Sequence, residues 1–145
     1  MTYLMNVNVT ACTALEGVPL NILLVDDDEA ARYLGQRLMR PYADRVQLLL
    51  ATNGLEALQL LRRPSIAGCT LVLLDLNMPV MDGFEFLEEY QTWPAEQQQD
   101  VRVMVVSSSE LAADRQRAQE LGAGFLHKPL TSSMINELLV QFGAA

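Results

Sequence analysis

At 145 residues, half of them apolar and 19% charged, the chain is long enough to bury a core of its own and too apolar to be a disordered segment. A net charge of −8 with no basic cluster argues against direct nucleic-acid binding. No apolar run approaches the about 18 residues needed to cross a bilayer, and the first basic residue is Arg32, so a secretory signal is not expected and the cytoplasm is the default compartment.

Residues 1–19 carry Glu16 as their only charge and close on Pro19. They read as a loose tail, although Met5, Val7 and Val9 alternate with polar residues in the manner of a short edge strand. Cys12 in this tail and Cys69 in the body fit neither a zinc nor a CxxC spacing, so both are expected to be free thiols. From Leu20 onward, through residue 145, a regular pattern reads as one domain. Ile22–Val25 is an apolar strand, followed by a helical stretch with Leu34 and Leu38 on one face. Val46–Ala51 is the second strand, and Asn53 with Glu56 has the spacing of a capping box before a helix carrying Leu55, Leu58 and Leu61. Leu71–Leu74 is the third strand; Asp82 and Glu85 repeat the capping spacing ahead of Phe84, Leu87 and Tyr90. A polar loop is expected over 91–100. Arg102–Val106 forms the fourth strand, Ser109 is placed to cap the next helix, Phe125–His127 is a brief fifth strand, and Thr131 caps a last helix with Met134, Ile135, Leu138, Leu139 and Phe142 on one side. Five strands apolar on both faces, each followed by a helix, predict an α/β fold of (βα)₅ type: a doubly wound parallel sheet. Strand order is not readable from this pattern.

In a parallel sheet all carboxyl ends lie on one edge, where ligands bind. Asp26, Asp27 and Asp28 leave the first strand there, Asp75 the third, Ser107 the fourth and Lys128 the fifth. Each residue has an ordinary explanation by itself, as a helix cap, a solvated helix start or a turn. Their occurrence in order, at separations of whole βα units, points to one site. Clustered carboxylates repel unless a cation joins them. Oxygen-only donors favour a hard ion, most simply Mg²⁺. With a lysine and a hydroxyl beside it, such a cluster suits a carboxylate that accepts a phosphoryl group.

The motifs Leu-Val-Asp26-Asp27, Leu-Asp75-Leu-Asn-Met-Pro79-Val-Met-Asp-Gly83, Val-Val-Ser107-Ser and His-Lys128-Pro129-Leu resemble those of the bacterial response-regulator receiver domain, the family of the chemotaxis regulator. The resemblance spans Leu20 to about Phe142. It implies a flavodoxin-like sheet of order 2-1-3-4-5. It implies further that Asp75 is the phosphoacceptor and that Asp26, Asp27, Asp75 and the backbone carbonyl of Asn77 hold Mg²⁺. Lys128 would contact the phosphoryl group, Ser107 would be the switch hydroxyl and Phe125 the switch aromatic. Pro129 matches a proline that follows a cis peptide in the family. Serine stands at 107 where threonine is commoner, and Phe125 lacks the hydroxyl of the family's frequent tyrosine. Asn77 and Ser109 flank the site at positions expected to influence phosphoryl lifetime, and His127 reads as a surface residue.

The function so implied is a standalone single-domain response regulator. It would take a phosphoryl group from a histidine kinase or histidine phosphotransfer protein, then turn Phe125 inward and repack the face made by the helix after the fourth strand, the fifth strand and the last helix. Its chemistry would be self-phosphorylation and autodephosphorylation only, without turnover of a separate substrate. Its partners would be the phosphodonor, a downstream target and, through that face, a second copy of itself. Two other classes compete. A receiver-shaped interaction module would not use the phosphate at all. An aspartate-nucleophile phosphatase of the haloacid dehalogenase kind normally carries a second aspartate two residues after the nucleophile, where this chain has Asn77.

Overall fold

The computed structural model describes residues 12, 17–63, 66 and 68–144. The expected strand-like alternation at Met5, Val7 and Val9 lies outside these residues. Among them, five strands form one sheet in the order β2-β1-β3-β4-β5: β1 Leu20–Val25, β2 Val46–Ala51, β3 Thr70–Leu74, β4 Val101–Ser107 and β5 Gly124–His127. Every neighbouring pair is parallel, with Val25 opposite Ala51 on one side and Leu74 on the other, so the ends of β1, β2 and β3 are level. The doubly wound arrangement and its strand order agree with the sequence reading.

Alternation along the central strands divides the core in two. Leu23, Val25, Val72 and Leu74 face one side with Ala57, Leu58, Phe86, Leu87 and Tyr90. Leu20, Ile22, Leu24, Leu71 and Leu73 face the other with Met39, Ile135, Leu138, Leu139 and Phe142. Helices α2 (Gly54–Leu61), α3 (Gly83–Tyr90) and α5 (Ala112–Glu120) therefore cover the first face, while α1 (Glu29–Met39) and α6 (Ser132–Gln141) cover the second. Phe86 and Phe142 are fully buried, each contributing on the order of 1.5–3 kcal/mol relative to exposure.

The caps at Asn53, Asp82 and Thr131 form as the spacing predicts: each side chain accepts a hydrogen bond from the backbone N–H three residues on. Asp82 and Glu85 complete a reciprocal box, whereas Glu56 instead accepts from the Thr52 N–H at 2.9 Å. Ser109 is not the residue before the first turn of its helix. That position is Leu111, whose N–H is taken by the Ser109 hydroxyl at 3.2 Å, so the cap acts two residues early. The expected helix faces rotate slightly as well: Leu34 and Leu55 are exposed, and Gly35 and Leu60 take the buried places. The polar loop at 91–100 contains a single helical turn, α4 (Ala95–Gln98), steadied by Gln98 Nε2 donating to the carbonyls of Tyr90 and Trp93 at 3.2 and 2.7 Å. Burial pushes the Tyr90 phenol up to about 12, against the smaller opposing effect of Arg102.

The free-thiol expectation is overturned, because Cys12 and Cys69 form a disulfide. Their separation of 57 residues gives no local signal; Cys69 precedes β3 at the amino edge of the sheet, and Cys12 reaches it there. The Lys128–Pro129 peptide is cis, as the resemblance implies.

Candidate functional site

The carboxyl ends of β1, β3 and β5 bring three of the predicted groups into contact. Asp26 and Asp75 are buried directly after their strands, and Lys128 reaches between them, with Nζ 3.0 Å from Asp26 Oδ2 and 3.3 Å from Asp75 Oδ1. One oxygen each from Asp26, Asp27 and Asp75 lie within 4.8 Å of one another, with Asp27 exposed at the mouth. Three oxygen donors, with no histidine or cysteine among them, fit a small hard cation such as Mg²⁺ better than a softer metal. Against α1 and the β5–α6 loop, the cleft above them continues as a cavity of about 170 Å³ walled by Leu34, Val106 and Pro129.

Local structure sets these positions. Asp26 Oδ1 accepts from the Asp28 N–H at 2.9 Å, and its own carbonyl accepts from Arg32 Nη1 at 2.8 Å, so α1 holds the acidic loop through a side chain that the sequence reading did not single out. The signal was available: Arg32 lies one helical turn beyond Asp28, on the helix that the acidic run opens. Asp75 is fixed by its N–H donating to the Val25 carbonyl and by the close approach of α3. A Cβ at Gly83 would lie 2.5 Å from the Asp75 carbonyl oxygen and 2.9 Å from Leu76 Cα, both backbone atoms. Only glycine lets the start of α3 lie against the strand exit. Val80, at the tip of the same loop, takes φ 69° and is 75% exposed. A β-branched residue is strained in this left-handed region. Val80→Gly is expected to raise stability by roughly 1 kcal/mol after the entropic cost of glycine, measured by urea unfolding; an unchanged or lower midpoint would show that the backbone there is not strained.

Ser107 and Phe125 stand differently. Ser107 is buried, and its Oγ accepts from the Ser109 N–H at 3.0 Å while its carbonyl accepts from the Lys128 N–H at 2.9 Å. The phenyl ring of Phe125 is already buried in the face covered by α2, α3 and α5, with the Arg115 guanidinium 5.3 Å from its centroid. Asn77 is exposed in the loop after Asp75, and His127 is exposed with Nδ1 2.7 Å from the Lys128 carbonyl.

Electrostatics follow from this packing. Burial, reinforced by the Asp26 charge, pushes the Asp75 carboxyl above its ordinary 3.8, and Lys128 offsets only part of the rise. For Lys128, burial works against the charged form but is outweighed by its hydrogen bond to Asp26 and by the two carboxylates, so it is held above 10.5. The folded chain therefore binds the Asp75 proton more tightly than the unfolded chain does. Without metal, stability falls as pH rises from 3.8 through the raised Asp75 value, while the Lys128 contribution is lost only on going above 10.5. Asp75→Asn in chelator is expected to be more stable than wild type at pH 7 by about 1 kcal/mol, with the gap closing below pH 3.8. A destabilised variant at pH 7 would refute the unfavourable charge.

Comparison with known proteins agrees with the architecture. Residues 22–140 match the response regulator receiver domain family. The chain is 34% identical over 117 residues to the transcriptional regulatory protein ZraR of Klebsiella oxytoca, covering 80% of this chain and 24% of that protein. It is 31% identical over 127 residues to the two-component response regulator ORR41 of Oryza sativa subsp. japonica, covering 87% and 96%. The chain spans less than a third of the length of the first curated relatives it matches. A response regulator receiver protein from Dyadobacter fermentans superposes with a TM-score of 0.73 at 25% identity, over 87% of this chain and 99% of that one. The Vibrio cholerae chemotaxis protein CheY4 does so at 0.72 and 23%, over 86% and 99%, a likeness of fold. With the level strand ends, the paired aspartates and the lysine between them, these matches place the chain in the response regulator receiver domain family.

Proposed function

We propose that residues 20–145 act as the receiver unit of a two-component phosphorelay, accepting a phosphoryl group on Asp75 from a histidine kinase or a histidine phosphotransfer protein. The observation that carries this reading is Lys128 shared between Asp26 and Asp75 at the sheet's carboxyl edge. An Asp75 oxygen attacks phosphorus in line; the phosphorus–nitrogen bond of the donor's phosphohistidine breaks, and its electron pair returns to the imidazole. Asp26, Asp27 and Asp75, with the Asn77 backbone carbonyl, would hold Mg²⁺, which when bound neutralises charge between donor and acceptor. Lys128 leaves Asp26 to pair with the phosphoryl oxygens, and the Ser107 hydroxyl donates to one of them. The product carries close to two negative charges where one stood before, enough to bias the packing around Ser107 and Phe125.

Among the described residues no helix is long and apolar enough to cross a membrane, and a cytoplasmic site of action is part of this proposal. Two solved complexes support the choice of partners by their descriptions: a receiver domain with the yeast phosphotransfer protein Ypd1, at 20% identity to this chain, and a CheX–CheY complex from Borrelia burgdorferi, at 25%. A downstream target, or a second copy meeting the α5–β5–α6 face, would read the state. Acetyl phosphate with Mg²⁺, followed by intact mass, tests the reading. Wild type is expected to gain one phosphoryl group and Asp75→Ala none; equal gain by both, or none by wild type, would defeat it.

A further inference from the structure

The first turn of α5 reaches both switch positions, Ser107 indirectly through Asp114 and Ser109 and Phe125 through Arg115. Asp114 Oδ2 accepts from the Ser109 hydroxyl at 2.6 Å, a short charge-assisted bond. The same hydroxyl accepts from the Leu111 N–H at 3.2 Å, and the Ser109 N–H donates to Ser107 Oγ at 3.0 Å. Helix α5 has no side-chain cap at Leu111, so Ser109 is what fastens its first turn to the loop beside the acidic cluster. The next residue, Arg115, lies over Phe125.

We propose that Asp114 is a positioning residue: through Ser109 it holds the Ser107 hydroxyl in the unphosphorylated arrangement, and release of the Asp114–Ser109 bond is the step that passes the phosphorylation of Asp75 to α5. This rests on the function proposed above. Ser107 Oγ makes no hydrogen bond to Asp75 or Lys128 here; its contact is the Ser109 N–H. To reach a phosphoryl oxygen on Asp75 it turns to another staggered rotamer. That turn removes the acceptor from the Ser109 N–H, and a half-buried amide left unpaired is costly. The cost vanishes if the segment Ser108–Ser109 follows the hydroxyl. Asp114 opposes that movement, because it anchors Ser109 from a helix that does not belong to the loop. Once the loop moves, Asp114 loses its partner, the first turn of α5 loosens, and Arg115 and the exposed Leu111 move with it relative to Phe125. Helix α5 buries only Ala118, and its ties to α3, from Arg117 to Glu88 at 2.8 Å and over the Phe84 ring, lie beyond the first turn, so it is the first turn that Ser109 fastens.

The test is calorimetric titration of the full chain with beryllium fluoride and Mg²⁺, a mimic of the phosphoryl group, on wild type, Ser109→Ala, Asp114→Ala, Asp114→Asn and the double alanine variant. Removing the latch is expected to tighten binding about five- to tenfold, the net effect of one ordinary hydrogen bond, since this one is only part-buried. Asp114→Asn, which keeps an acceptor oxygen, is expected to recover most of the wild-type value and serves if the alanine variant folds poorly. The double variant is expected to bind no tighter than either single one, a non-additivity that general loosening of the fold does not produce. Wild-type binding with unchanged or weakened binding in the variants, or additive effects, overturns the latch alone; no binding by wild type overturns the latch together with the function on which it rests.

Discussion

Lys128→Ala is expected to slow phosphorylation from acetyl phosphate by about 100- to 1,000-fold, the range seen when one preorganised charge partner is removed from a developing anion. Two effects of the same substitution act together. On the proposed function, the phosphoryl group would lose the ammonium that pairs with its oxygens, and Asp75, already held above its ordinary value by burial and by Asp26, loses the neighbouring Lys128 charge that lowers it. The second effect also reaches stability. With Lys128 gone, Asp26 and Asp75 remain buried beside each other without a counter-charge. Full burial of such a pair would cost about 3–5 kcal/mol, and partial solvent access around Lys128 brings the expected loss to about 2 kcal/mol in chelator. Added Mg²⁺ is expected to return much of that stability but little of the rate. The two are separated by melting curves with and without Mg²⁺ beside a phosphorylation time course read by intact mass. Recovery of rate with Mg²⁺ would mean that Lys128 serves only as a counter-ion in the metal-free protein.

Reduction of the Cys12–Cys69 disulfide is expected to lower stability by about 2–3 kcal/mol. The closed loop spans 57 residues, and cross-linking a loop of that length removes about 4 kcal/mol of chain entropy from the unfolded state. Part of the gain is returned, since reduction also releases Cys12 itself in the folded protein. For a domain of this size the loss corresponds to a fall of roughly 7–10 °C in Tm. Matched melts with and without a dithiol, with Cys69→Ser as a second reduced state, check it. An unchanged Tm would show that the bond contributes nothing to the fold. A disulfide sits uneasily with a reducing compartment, and the redox poise around the protein decides how far it is populated. Phosphorylation of Asp75 is expected in both redox states, because Cys69 and Asp75 lie at opposite ends of β3.

The strands were legible because a parallel sheet covered on both faces demands unbroken apolar runs, and Ile22–Val25 and Leu71–Leu74 have no other reading. The site was legible for a related reason: a level edge forces the residue after each run into one cleft, so Asp26, Asp75 and Lys128 meet without any local contact to announce it. Helix faces were less clear. Leu34 and Leu55 satisfy a 3.6-residue period, yet the places against the sheet go to Gly35, where a Cβ would displace the tip of the Leu24 side chain, and to Leu60. Contacts set by tertiary approach were invisible, among them the disulfide, the Arg115 guanidinium over Phe125 and the crowding that demands Gly83.

The most direct measurement is chemical location of the phosphoryl group. An acyl phosphate is cleaved by borohydride to leave homoserine in place of the aspartate, and tandem mass spectrometry then reads its position. After phosphorylation with Mg²⁺ and reduction, homoserine is expected at residue 75 alone. A label at Asp26 or Asp27, phosphate on Ser107 or His127, or no label in a protein that has gained phosphate would contradict the assignment of Asp75 as the acceptor.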